Sequence, residues 1–293
     1  LTGRVVAITG AARGIGLATA TELQRRGAKI AIGDIDAEAV ASAAAQLGPG
    51  VVTTQLDVTD AASFSAFLAL TERELGPVDV LINNAGIMPI GPFLEESDAT
   101  AQRILDINVG GVLLGMKLAL PAMLKRGQGH IINIASVAGR SPVPGGLTYA
   151  ASKAAIFSAT ESVRVEFAGQ GVNFTCVMPS FTATDLIAGT KGVRFIPNVK
   201  PEAVASAIAR AIEKPRLDVF VPKSVGAVIT LNALTGRTVR DFMNRLIGAD
   251  RTFLEVDRSA RSYYEDRISR PTGAGLADAG AAEPELPKRV AQD

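Results

Sequence analysis

The sequence predicts an α/β fold: a doubly wound, seven-stranded parallel sheet with helices on both faces, followed by a C-terminal helical extension. Three observations predict it. Short apolar runs of the kind found in strands buried on both faces occur at residues 4–9, 29–34, 51–55, 78–82, 130–134, 172–177 and 217–221. Helical stretches alternate with them, as parallel crossovers require. Between the first strand and the first helix stands a glycine turn, Gly10-Ala11-Ala12-Arg13-Gly14-Ile15-Gly16. The 293 residues suffice for one large domain or two small ones. A single unbroken alternation with no internal repeat favours one domain over 1–223, an extension over 224–270 and a disordered tail over 271–293, where Pro, Gly, Ala and charge dominate.

Composition removes several function classes. Hydrophobic residues make up 47% and the net charge is +1, which excludes global disorder and gives no footprint for nucleic acid. The single cysteine, Cys176, excludes an internal disulfide and lies in an apolar run as a buried, inert thiol. One histidine, His130, and no His/Cys cluster mean no metal site is expected; His130 reads as a surface residue at a strand entry. No signal peptide and no apolar run of about 18 residues is read, so the expectation is a cytoplasmic chain without a transmembrane segment.

The elements justify themselves in order. Strand 4–9 runs into the glycine turn and a helix to residue 26. Gly10 permits the turn, Gly14 lets the backbone approach a pyrophosphate, and Gly16 lets helix and strand pack closely. The helix N-terminus would then offer free N–H groups to phosphates. Strand 29–34 ends in Asp34, placed to bond adenosine ribose hydroxyls and to repel a 2′-phosphate, which favours NAD over NADP; Arg13 argues mildly the other way. Asp34 could equally cap the helix from Ala37. After the third strand, Asp57 and Val58 stand where an adenine could lie, although Asp57 could instead hold a turn.

A helix over 61–75 stops at Gly76-Pro77, and the fourth strand ends in Asn83-Asn84-Ala85-Gly86, small and amide residues suited to a backbone that approaches a ligand. One long helix over 97–123 carries Asn108, a poor helix former that implies a kink or a hydrogen-bonding task. Ser136 follows the fifth strand at its C-terminal end, where parallel sheets bind ligands. In the helix over 149–168, Tyr149 and Lys153 are four residues apart and share a face. An ammonium held near the phenol would lower its pKa below about 10 and let it exchange a proton near neutral pH. The sixth strand leads to Pro179-Ser180-Phe181-Thr182-Ala183-Thr184, and Pro201 opens the last helix before strand seven.

Taken together, Thr9-Gly10-x-x-x-Gly14-Ile15-Gly16, Asn83-Asn84-Ala85-Gly86, Asn108, Ser136, Tyr149-x-x-x-Lys153 and the Pro179 segment resemble the short-chain dehydrogenase/reductase family in its compact branch, over about three quarters of the chain. The resemblance implies a Rossmann fold, an NAD(P)-dependent oxidoreductase, and a homodimer or homotetramer. It implies Tyr149 as general acid/base and Lys153 as the residue that lowers its pKa and bonds the nicotinamide ribose. It further implies Ser136 as holder of the substrate oxygen and Asn108 as anchor of a water relay, with Thr184 on the pyrophosphate or carboxamide and Thr182 on the carboxamide. Cofactor contacts are expected from Gly10, Arg13, Gly14, Ile15, Gly16, Asp34, Asp57, Val58, Asn84, Ala85, Gly86, Tyr149, Lys153, Pro179, Thr182 and Thr184. Ser180 departs from the family's usual glycine, and the long extension departs from its short C-terminus.

The expected activity is NAD-dependent interconversion of a hydrophobic secondary alcohol and its ketone or aldehyde. Alternatives are an NADPH-dependent carbonyl reductase, an isomerase or epimerase, and a membrane-surface lipid-binding member of the fold. A hydrolase on Ser136 fails, because Ala135-Ser136-Val137-Ala138-Gly139 is not a nucleophile elbow. Apolar pocket walls are expected from Ile90, Val143, Leu147, Phe181, Leu186, Ile187 and Phe195. Residues 184–200 are expected to form a mobile lid. The extension, through Val225, Val228, Ile229 and Leu231, is expected to pack beside that lid and close one side of the cleft.

Overall fold

The structure, a computed structural model, describes residues 1–190, 192, 198–236, 238, 241–242, 245–246, 248 and 251–269. The tail over 271–293, Phe195 and much of 239–247 within the expected helical extension lie outside the described residues.

Seven parallel strands form one sheet in the order β3-β2-β1-β4-β5-β6-β7. They are β1 Val5–Thr9, β2 Lys29–Asp34, β3 Val52–Gln55, β4 Val80–Asn83, β5 Gly129–Ile134, β6 Val172–Pro179 and β7 Asp218–Val221. The order reverses between β1 and β4, which opens a crevice at the strands' C-terminal ends.

Side chains alternate across the sheet. Val6, Ile8, Ile30, Ile32, Val80 and Ile82 face α1 (Gly14–Arg25), α2 (Ala37–Leu47) and α7 (Pro201–Glu213) in one core cluster. Ala7, Ala31, Leu81, Ile131 and Cys176 face α3 (Ala61–Leu75), α5 (Gly111–Arg126) and α6 (Leu147–Glu166) in another. Each fully buried aliphatic side chain contributes roughly 1.5–3 kcal/mol.

The long helix expected over 97–123 is three pieces. α4 (Asp98–Leu105) and α5 are joined by a π-helical turn, Asp106–Gly110, with Asn108 fully buried inside it. The whole run, Asp98–Arg126, holds an 18-residue window with mean hydropathy 1.6, long and apolar enough by length and composition to cross a membrane, contrary to the expectation that no such run exists. Its apolar residues Val112, Met116, Ala119, Leu120 and Met123 are buried against the sheet, as in a core helix.

His130 is likewise not at the surface. It sits in β5 between β4 and β6, opposite Val80 and Asn173, and is buried. Its Nε2 lies 2.8 Å from Thr175 Oγ1, whose own proton goes to the Arg216 carbonyl at 2.5 Å, so the histidine donates from Nε2. Burial, aided by Arg4, pushes its pKa down to about 4. Cys176 is buried as expected, and burial pushes its thiol up to about 12.

Beyond β7 the chain forms α8 (Lys223–Leu234) and α9 (Arg258–Ser269). Phe253 and Tyr264 are buried there, and Phe253 joins Met88 and Tyr149 in a third apolar cluster over the end of the sheet.

Candidate active site

A continuous cleft of about 740 Å³ runs along the C-terminal ends of the strands, a size typical of ligand sites. At one end stand Gly10, Arg13, Gly14, Ile15, Asp34, Asp57 and Val58. Asn84, Ala85, Gly86, Ser136, Tyr149, Lys153, Pro179, Thr182 and Thr184 line its middle. Of the expected site residues, Gly16 and Asn108 do not line it; both act from beneath.

Gly16 faces the Gly10 carbonyl, where a Cβ would come within 2.5 Å, so it sets the approach of α1 to β1. Gly10 and Gly14 take positive φ of 62° and 55°, and the Thr184 methyl packs 3.2 Å from where a Gly14 Cβ would be. The N-terminus of α1 has no side-chain cap, whereas Asp36, Asp60 and Ser97 cap α2, α3 and α4. Its first N–H groups therefore face the cleft without a side-chain acceptor, which fits a pyrophosphate.

Asn84 supports the glycine turn instead of reaching outward: its Nδ2 donates to the Thr9 and Gly10 carbonyls at 3.0 and 2.7 Å. Asp34 accepts from Ala12 N and Asp36 N, both at 3.2 Å. The cap of α2 is Asp36, not Asp34. Arg13 is ion-paired with Asp36, and that carboxyl is held below its usual pKa, first by the Ala39 N–H and then by Arg13. Asp57 Oδ1 holds a turn, accepting from Thr59 N and Oγ1 at 2.9 and 2.7 Å.

The hydroxyl of Ser136 accepts from Ala138 N at 3.1 Å, and it favours the ionised form of Tyr149 beside it. Tyr149 and Lys153 are both buried on the cleft side of α6. Here the expectation from Y-x-x-x-K is corrected. Lys153 Nζ donates to the Ile134 carbonyl at 2.9 Å and lies 5.7 Å from the Tyr149 ring centroid. Burial outweighs the Ser136 contact and pushes the phenol up to about 12, while burial also pulls the lysine down to about 8.

The side chain of Asn108 is committed to protein groups. Its Oδ1 accepts from Ile87 N at 2.8 Å, and its Nδ2 donates to Ile87 O and Ser152 Oγ, both at 3.0 Å. Ser180, despite replacing glycine, extends the ladder by donating from its N–H to the Val221 carbonyl at 2.8 Å. Thr182 is buried and bridges to Val199.

The other end of the cleft is apolar. Val143, Phe181, Leu186 and Ile187 line it as expected, with Val225, Val228 and Ile229 from α8. Ile90 packs behind Met88 and Tyr149 without lining the cleft, and Leu147 and Leu231 point outward, 52% and 62% exposed. Met88, Phe253, Tyr264 and Ile268 complete the wall. The sequence singled out none of these four: an amphipathic pattern over 253–268 marks Phe253, Tyr264 and Ile268 only as part of a helical extension, and Met88 carries no signal along the chain. Within the expected lid, residues 184–190 are tied to the extension: Asp257 N donates to Gly189 O at 2.9 Å, and Arg267 pairs with Asp185 at 2.7 Å.

The model of the short chain dehydrogenase family matches residues 4–192. The chain is 40% identical over 180 residues to galactitol 2-dehydrogenase of Agrobacterium fabrum, covering 61% of this chain and 70% of that protein. It is 37% identical over 227 residues, 73% of its length, to glycine betaine reductase of Emericella nidulans, of which it spans only 18%. The fold resembles a crystal structure of a short chain dehydrogenase/reductase from Burkholderia phymatum in complex with NAD. The TM-score is 0.73 at 27% identity, over 78% of this chain and 92% of that one.

Proposed function

The chain belongs to the short chain dehydrogenase family, whose members are NAD(P)-dependent oxidoreductases acting on CH–OH groups, and on that premise we propose that it interconverts an apolar secondary alcohol and its ketone with NAD as preferred cofactor. One observation carries the reading: Tyr149 and Ser136 stand where a glycine-turn end of the cleft with an acid at its rim meets an apolar end.

The glycine turn and the α1 N-terminus would hold the pyrophosphate, with Thr184 closing over it. Asp34 would accept from the adenosine ribose hydroxyls, and Val58 with Asp57 would border the adenine. Lys153 and Tyr149 would bond the nicotinamide ribose, and the 84–86 backbone, Pro179 and Thr182 would border the nicotinamide. Bound there, the nicotinamide supplies the hydride acceptor for the carbinol carbon, or the donor in reverse. Ser136 holds the substrate oxygen by a hydrogen bond. Tyr149 takes the hydroxyl proton as phenolate in oxidation and, as phenol, returns it to the carbonyl oxygen in reduction. The preference for NAD is supported twice: the Asp34 carboxylate repels a 2′-phosphate, and Arg13, the cation beside it, is already paired with Asp36.

Relatives include proteins named as galactitol and sorbitol dehydrogenases, yet the substrate end here is walled by Met88, Val143, Phe181, Leu186, Ile187 and Phe253. A polyol would leave several hydroxyls unpaired against these walls, at roughly 1–3 kcal/mol each, so an apolar alcohol fits better. By the habit of the family, the proposal includes a homodimer or homotetramer.

The test is turnover of alcohols and ketones of graded size, from polyols to bulky apolar rings, with NAD(H) and NADP(H), followed by nicotinamide absorbance. Apolar substrates with NAD should give the highest kcat/KM. Best turnover of polyols would overturn the substrate class, and equal efficiency with NADP would overturn the cofactor preference.

A further inference from the structure

We propose that Arg261 is a positioning residue for the substrate end of the cleft: one buried guanidinium ties the loop after β4 to the loop after β6 and so sets the spacing of the apolar walls. The proposal rests on the reading above only for what occupies that space.

The arginine side chain is 2% exposed. Its Nη1 donates to the Leu186 carbonyl at 2.8 Å and the Ala188 carbonyl at 3.2 Å, both after β6. Its Nη2 donates to the Met88 carbonyl, after β4. Nε pairs with Glu265 one turn along α9, which balances the charge and aims the fork. The Met88 N–H, in turn, donates to the Tyr264 hydroxyl at 2.7 Å, and the guanidinium carbon sits 4.6 Å from the Tyr264 ring centroid. Met88 and Leu186, whose carbonyls are held, are themselves wall residues.

A planar fork of fixed donors can bridge two loops in a way that a flexible ammonium cannot. Each carbonyl it satisfies is backbone, so the contact fixes the path of the chain and not only a side chain. Packing supports the same arrangement: Phe253, ahead of α9, stacks on Phe181 with centroids 5.5 Å apart and planes 18° apart. The extension thereby takes part in the substrate site through backbone anchoring as well as by covering it.

The test is hydrogen–deuterium exchange on the full chain, with Arg261→Lys and Tyr264→Phe beside the wild type. Arg261→Lys should speed exchange in peptides covering 86–90 and 185–190 by about ten- to a hundredfold, the factor carried by one lost charge-assisted hydrogen bond, with β1 and α1 unchanged. Tyr264→Phe removes only the acceptor for Met88 N–H and should speed 86–90 alone. Steady-state kinetics of Arg261→Lys should show KM rising for bulky apolar alcohols while NAD affinity stays within about twofold. Unchanged protection of both loops in Arg261→Lys would overturn the proposal, as would a uniform rise across the chain, which marks a residue of global stability only. Should Arg261→Lys not fold, the Tyr264→Phe pattern decides: local loss at 86–90 supports the tie, and its absence overturns it. The exchange readout needs no substrate, so a chain inactive on every alcohol would count against the proposed activity and leave this result standing.

Discussion

Tyr149 meets two opposed influences: burial disfavours its phenolate, and the Ser136 hydroxyl favours it. The hydroxyl is the one group of that side chain the proposed proton transfer needs. Tyr149→Phe should therefore lower kcat by about 10²–10⁴-fold, the range for a lost general acid/base, while NAD binding measured by isothermal titration calorimetry stays nearly intact. Substantial residual turnover would remove Tyr149 from the chemistry. Cofactor choice is also decided by single side chains. Asp36→Asn keeps an N-cap for α2 and releases Arg13 from its ion pair. The freed guanidinium should improve kcat/KM with NADP relative to NAD by about tenfold, the equivalent of ~1.4 kcal/mol. An unchanged ratio would mean that Arg13 does not reach the 2′-phosphate.

Among the elements, α1 is tightly constrained at its start. It leaves β1 through a turn in which Gly10 and Gly14 need positive φ, and it returns against β1 at Gly16. A Cβ on residue 16 would lie 2.5 Å from Gly10 O and 2.7 Å from Ala11 Cα, and both are backbone atoms. Gly16→Ala must therefore push the helix away from the strand. The expected result is a loss of about 1–3 kcal/mol in denaturant unfolding, together with weaker NAD binding as the helix N-terminus moves. A variant of unchanged stability and affinity would show that α1 shifts freely. The π turn at Asp106–Gly110 has the complementary character. It puts Asn108 into the core, where its amide fixes Ile87 and Ser152, and so joins the loop after β4 to the helix that carries Tyr149.

Across the whole molecule, two buried bases tie stability to pH. His130 has a folded pKa of about 4 against 6.5 in its ordinary state, so the unfolded chain takes up its proton first and stability is lost as pH falls through that window. Lys153, at about 8 against 10.5, has the same sign at higher pH: stability rises as pH climbs from about 8 to 10.5. The acid limb is the one to measure. Between pH 7 and 5 the histidine should cost the fold about 2 kcal/mol. His130→Gln, which keeps a donor for Thr175, should flatten that part of the stability profile by a similar amount. An identical acid slope in wild type and variant would show that other groups carry it.

The alternation of strands and helices, the glycine turn, the acid that ends β2 and the Tyr149/Lys153 pair were all readable along the chain. Periodicity, glycine placement and i,i+4 spacing are local properties, settled within a turn or a strand. Tertiary structure decided what those side chains touch. His130 looks like a strand-entry residue until β4 and β6 close over it from either side. The pairing of Arg13 with Asp36 spans 23 positions and that of Arg261 with Met88 spans 173. No spacing rule links such residues, because their meeting depends on which surfaces the folded sheet and extension bring together. The Lys153 ammonium shows the same limit: spacing puts it on the tyrosine's face of α6, but the nearest well-aligned acceptor is the Ile134 carbonyl at the end of β5, supplied by the sheet.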